Sequence, residues 1–116
     1  MIKLIAFLKR NPGMTMAEFR DRWVYEHTKL SGQLPGLLGY RINVAVEDQP
    51  SGAEPLYDGT AELWWESREA MDASFASDIA RIAGEDADSF CSVRIHLYTE
   101  EYTVVADRFT PPPPVR

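Results

Sequence analysis

Tyr57-Asp58-Gly59-Thr60-Ala61-Glu62-Leu63-Trp64-Trp65 sets Tyr57, Ala61, Leu63 and Trp65 on one side of an extended chain. Asp58, Thr60, Glu62 and Trp64 fall on the other. Side chains of a strand alternate between faces with a period of two, so this stretch reads as a strand with one apolar face. Upstream, Leu38 to Val46 alternates likewise, with Tyr40, Ile42, Val44 and Val46 opposite Arg41 and Asn43. Residues 47–56, with two prolines and a glycine, read as the loop between these strands. Ile2 to Leu8 is rich in β-formers and stops at Asn11-Pro12-Gly13. Ser92 to Val105 contains a fourth strand, with Val93, Ile95 and Leu97 opposite Arg94, His96 and Tyr98.

Two helical patterns separate the strands. Thr15 and Glu18 have capping-box spacing. Apolar or aromatic residues at 16, 19, 23, 27, 30 and 34 then trace one helix face, predicting a helix from about 16 to 33 that ends at Leu34-Pro35-Gly36. Ser67 caps a second pattern, Met71, Phe75, Ile79 and Ile82, which Gly84 weakens or ends. The acidic run Glu85-Asp86-Ala87-Asp88 is expected to be a solvated turn.

The order β-α-β-β-α-β predicts an α+β, ferredoxin-like fold: a four-stranded antiparallel sheet with two helices on one face. The apolar face of every strand is expected to meet the helices. That rule sends Trp64, Arg94, His96 and Tyr98 to the opposite face, and a tryptophan there predicts a second copy over it. A homodimer through Trp64, His96 and Tyr98 is therefore expected. Asp58 and Glu62 are expected in ion pairs at that interface.

The 116 residues suit one domain, expected over 1–107, with 108–116 a Pro-rich flexible tail. Eighteen acidic against twelve basic residues give a net charge of -6, which argues against nucleic-acid and anionic-membrane partners. The single cysteine, Cys91, excludes an internal disulfide framework and a multi-cysteine zinc site, and reads as an inert apolar residue. No apolar run is long enough to span a membrane, and the N-terminal residues read as a strand, so a cytoplasmic location is expected. Glycine-rich phosphate loops, nucleophile elbows and dinucleotide fingerprints are lacking, so no nucleotide cofactor is expected. No metal is expected either, because the strand pattern sets His27 and His96 on opposite sides of the sheet.

Three blocks in order, Phe19-Arg20-x-x-Trp23-x-x-x-His27, Leu34-Pro35-Gly36-Leu37-x-x-Tyr40 and the Tyr57 to Trp65 strand, resemble the EthD family, named for ethyl tert-butyl ether degradation. That family belongs to the dimeric α+β barrel superfamily, and the likeness spans residues 1 to about 106. The resemblance implies a small-molecule pocket between sheet and helices of each subunit. His27 matches a histidine that commonly serves such a pocket, and Tyr40 matches the tyrosine of the second-strand motif. Superfamily relatives include muconolactone-type isomerases, polyketide cyclases and dehydratases, and monooxygenases without metal or flavin. A shared fold does not fix the chemistry among these.

The residues themselves narrow the choice. His27 follows Trp23 by four and precedes Leu30 by three, which turns it to the inward helix face. There it is either a neutral-pH acid or base, or a buried histidine bonded to a backbone carbonyl. Tyr40 is either an orienting hydroxyl for a substrate oxygen or a core tyrosine. Trp23, Leu63, Trp65 and Phe75 are the candidate substrate-binding walls. His96 is expected across the sheet from His27, in the dimer interface. These readings predict a cofactor-free enzyme acting by proton transfer on a small, largely apolar organic metabolite, of isomerase, cyclase or dehydratase type. A non-catalytic small-molecule binding or accessory protein and a cofactor-independent monooxygenase are the alternatives.

Overall fold

The structure, a computed structural model describing residues 1–114, begins with β1 (Ile2–Arg10) and runs through α1 (Met16–Asp21), a π-helical segment (Arg22–His27) and α2 (Thr28–Ser31). Then follow β2 (Gly39–Val44), β3 (Gly59–Trp65), α3 (Arg68–Phe75), α4 (Asp78–Phe90) and β4 (Cys91–Thr99). The strands form one antiparallel sheet in the order β2-β3-β1-β4. This is the ferredoxin-like arrangement expected from the element order. Leu4 and Leu8 of β1 and Ala61, Leu63 and Trp65 of β3 pack against Phe19, Trp23, Met71 and Phe90 from the helices. Among the described residues, no helix is long and apolar enough to cross a membrane.

Local signals account for the helix starts. The Thr15 hydroxyl accepts the Glu18 amide at 3.1 Å, and the Glu18 carboxylate accepts the Thr15 amide at 2.9 Å. The first helix ends two residues earlier than expected, at Ser31, and Gly36, with φ 73°, turns the chain toward β2. Its middle is π-helical, a geometry often found at functional sites.

Three expectations need correction. The second helix is two helices, because Ser77 caps a new start by accepting the Ala80 amide at 3.3 Å. Gly84 lies inside α4 and does not end it, and residues 85–88 are helical, not a solvated turn. The reason is that Ala83, Ala87 and Phe90 continue the apolar stripe into the core, all buried.

The second correction concerns β4. Its register sets Arg94 opposite Leu8, His96 opposite Ala6 and Tyr98 opposite Leu4. Residues paired across a ladder share a face, so Arg94, His96 and Tyr98 point to the helix side. Val93, Ile95 and Leu97 lie on the outer face, and Leu97 is 53% exposed. His96 and Tyr98 are therefore not on the outer face, and His27 and His96 stand on the same side of the sheet. β4 is an edge strand whose helix side borders a cavity, so here polar residues mark the inside. Trp64 does face outward, but its own chain covers it. Lys3 Nζ stands 4.5 Å and the Arg41 guanidinium 5.4 Å from its ring, and its indole N–H donates to Glu101 at 3.2 Å.

The third correction is Asp58. It precedes β3 and is 1% exposed, accepting the Arg10 amide at 2.9 Å and the Arg10 guanidinium at 3.1 Å. It locks β1 to the loop before β3 and has no place in an interface. Glu62 is on the outer face but pairs with Lys3 of its own chain at 2.6 Å.

Candidate active site

A cavity of about 210 Å³ lies between the helices and the sheet. Leu4, Ala6 and Leu8 of β1, Ala61 and Leu63 of β3, and Tyr40 of β2 form its floor. Trp23, His27 and Ser31 line it from the first helix. The space exists because α4 offers only small residues there: Ala80, Ala83, Gly84 and Ala87. Phe75, Arg94 and His96 complete the lining, and the exposure of Phe75 and His96 marks the mouth between α3 and β4. Their rings are 5.9 Å apart.

Gly59 seats the tryptophan wall. A Cβ at that position would lie 2.5 Å from Trp23 Cζ3 and 2.5 Å from the Asn43 carbonyl oxygen. Only a residue without a side chain allows the indole to cross β3 so closely.

His27 is buried, with Nδ1 2.8 Å from Asp86 Oδ2. A carboxylate only accepts, so Nδ1 carries the proton of the neutral ring, and Nε2 is the nitrogen able to accept one. Arg22 donates two hydrogen bonds to Asp86, at 3.1 and 2.5 Å, and this guanidinium holds the carboxyl below the usual carboxylate range. Burial pushes the His27 pKa down, and the bond to Asp86 offsets that only in part. The imidazole edge also packs on Phe90, with ring centroids 5.4 Å apart.

The Tyr40 hydroxyl meets Ser31 Oγ at 2.8 Å. Ser31 Oγ in turn donates to the His27 carbonyl at 3.3 Å, so Tyr40 is the donor to Ser31. Burial raises the Tyr40 pKa above its ordinary value, with the Ser31 bond opposing. At the mouth, Arg94 reaches the His96 imidazole at 3.4 Å and Asp88 at 3.1 Å. Packing and then the Arg94 charge lower the His96 pKa, although the ring keeps solvent access.

The cavity thus brings together His27, Tyr40, Trp23, Leu63 and Phe75. Trp65 stands apart: fully buried, it backs Phe75 at 5.4 Å and donates its indole N–H to the Pro35 carbonyl at 3.0 Å. It is a core support and not a cavity wall. Asp86, Arg22, Ser31, Arg94 and His96 escaped the sequence reading as site residues. Asp86 had a signal, since it precedes Phe90 by four and so shares its helix face. Cys91 is buried, which pushes its thiol up to about 12 and leaves it unreactive. Among the described residues, no three His, Cys, Asp or Glu side chains group as metal ligands would.

A ferredoxin-like α+β sheet whose helices roof a half-enclosed, mainly apolar cavity defines the class. Within it, the chain belongs to the EthD family, whose EthD domain model matches residues 11–93. An ethyl tert-butyl ether degradation (EthD) family protein from Bacillus halodurans is similar in structure, with 24% identity and a TM-score of 0.75 over 88% of this chain and 99% of that one. SnoaB, a cofactor-independent oxygenase from Streptomyces nogalater, is similar at 9% identity and a TM-score of 0.67, over 91% of this chain and 97% of its own. A dimeric protein of ferredoxin-like fold from Bacteroides fragilis gives 9% and 0.65, over 86% and 95%. No curated protein matches the chain.

Proposed function

We propose that the protein is a cofactor-free enzyme that moves a proton on a small organic molecule bound in this cavity. One observation carries the reading: His27 borders the cavity with Nδ1 held by the Arg22–Asp86 pair. That arrangement fixes the tautomer, and burial keeps the ring neutral with Nε2 as the base. Nε2 takes a proton from a carbon next to a carbonyl, and the Asp86 carboxylate stabilises the imidazolium that forms. Tyr40 holds the substrate oxygen by turning its one hydroxyl hydrogen from Ser31 to the ligand. Return of the proton to another carbon completes an isomerisation; attack of the enolate carbon on a second carbonyl of the same molecule, with the proton passed to the new alkoxide, completes a cyclisation; delivery to a departing hydroxyl completes a dehydration.

The likeness to a cofactor-independent oxygenase supports a second reading, in which the same base forms a carbanion that reacts directly with oxygen. The unit of function in either case is a homodimer in the cytoplasm. The exposed Val93, Ile95 and Leu97 stripe and the dimeric relative support the dimer.

Turnover of a panel of enolisable monocyclic ketones, with oxygen consumption followed in parallel, tests this. His27→Ala should lower turnover by about 10²–10⁴-fold while ligand affinity holds. Full activity in that variant would remove the mechanism. Affinity with no turnover of any panel member would leave a binding or accessory protein.

A further inference from the structure

The cavity wall is electrostatically one-sided. Its lining contains Arg94 and no carboxylate. The Asp88 carboxylate that balances Arg94 is 68% exposed and outside the lining. The remaining titratable groups around the cavity are His27, His96 and Tyr40, all uncharged when His27 and His96 are unprotonated. Asp86 lies behind His27 and is already satisfied by Arg22.

Arg94 Nη1 approaches His96 Nε2 at 3.4 Å, which makes Nε2 the acceptor and puts the His96 proton on Nδ1. Guanidinium and imidazole therefore stand side by side at the mouth, with Nδ1–H the donor left to the imidazole. The rest of the floor is Leu4, Ala6, Leu8, Ala61 and Leu63. An apolar body with an acidic oxygen at one end complements this layout; an amine or a wholly apolar molecule does not.

Size sets the body. An apolar cavity of roughly 150 Å³ takes a benzene-sized guest. At about 210 Å³, this one admits a substituted single ring or a small fused pair.

We propose that Arg94 and His96 form an anion subsite at the cavity mouth. The ligand class it selects is a one- or two-ring compound bearing a carboxylate, phenolate or enolate oxygen. The inference rests on the proposed function in taking this cavity as the ligand site. It adds a role for the subsite in that chemistry: a cation beside the oxygen stabilises the enolate formed when His27 removes a proton.

Three planar probes of nearly equal shape test it by titration calorimetry: benzoate, nitrobenzene and benzamidinium. Benzoate should bind about tenfold more tightly than nitrobenzene, the margin of a charge-assisted hydrogen bond at a partly exposed site, and benzamidinium should bind most weakly. Added salt should narrow the margin. Arg94→Met should bring benzoate down to the nitrobenzene level without changing nitrobenzene binding, and Asp88→Asn should strengthen benzoate. The unmodified protein's ranking decides even if a variant fails to fold. Equal affinities, or benzamidinium tightest, overturn the subsite and leave proton transfer through His27 standing. No binding of any probe at millimolar concentration overturns the subsite and the cavity as ligand site together.

Discussion

His27 Nδ1 lies 2.8 Å from Asp86 Oδ2, a contact that ties the π-helical turn of the first helix to α4. The carboxylate raises the His27 pKa against the stronger effect of burial. Removing that charge with Asp86→Asn should therefore lower the His27 pKa further. Titration of the imidazole protons by NMR reads this directly. An unchanged or higher value in the variant would show that Asp86 does not set the state of the ring.

The same shift makes stability depend on pH. The folded His27 pKa lies below its ordinary 6.5, so between the two values the unfolded chain binds more protons than the folded one. Stability then rises with pH through that window and is flat above it. His96 acts in the same direction. The melting temperature should fall between about pH 7.5 and about pH 5.5, and His27→Asn should flatten part of that fall. An equally steep fall in the variant would assign the dependence elsewhere.

Gly59→Ala tests the seating of Trp23. The new methyl would meet both the indole and the Asn43 carbonyl at 2.5 Å, and neither is a loose side-chain end. Overpacking of this kind costs roughly 1–3 kcal/mol. Urea denaturation should place the loss in the upper part of that range. A loss well under 1 kcal/mol would mean that the indole can slide off the strand.

The parts of this molecule legible in sequence are those where one signal has one meaning. The Thr15 and Glu18 spacing fixed a helix start, and the alternation of Ala61, Leu63 and Trp65 fixed which residues of β3 face the core, whereas Tyr57, before the strand, packs on outward-facing Phe7 with ring centroids 5.3 Å apart. His27 and Tyr40 were reachable because inward periodicity and polar chemistry coincide in them. On β4 the alternation was equally plain but its sense was not. On a central strand the apolar side is the buried side; on an edge strand beside a cavity, the polar side of Arg94 and His96 faces inward. Asp86 was hidden because an acidic run usually means a solvated turn, whereas its neighbours Ala83, Ala87 and Phe90 keep it helical. Ser31 carries no pattern at all, since its role comes from a contact with Tyr40 on another element.

The C-terminal segment should divide at about residue 107. Glu101 ties it to Lys3 and Trp64, and Asp107 pairs with Arg41 at 3.3 Å. Residues 108–114 are exposed and outside any strand or helix. Deletion of residues 110–116 should leave the melting temperature almost unchanged, whereas deletion from residue 100 should lower it by several degrees, the effect of about 1 kcal/mol in a domain this size. A large drop from the short deletion would move the domain boundary into the proline run.

Val93, Ile95 and Leu97 stand exposed on the outer face of β4, and the register continues this apolar surface across Phe7 and Ile5 of β1. An apolar patch running over two adjacent strands is costly in water and is covered in most folded proteins. A two-fold axis through the face would bury the patch of each copy against the other, so one substitution per chain counts twice. Leu97→Glu should therefore dissociate the dimer, because two carboxylates would lose hydration inside the contact. His96→Gln, on the opposite side of the same strand, should leave it intact. Light scattering at micromolar concentration should give the mass of two chains for the unmodified protein and for His96→Gln, and of one chain for Leu97→Glu. A single-chain mass for the unmodified protein would leave the patch without its partner and remove the dimer. A two-chain mass for Leu97→Glu would move the interface to another face.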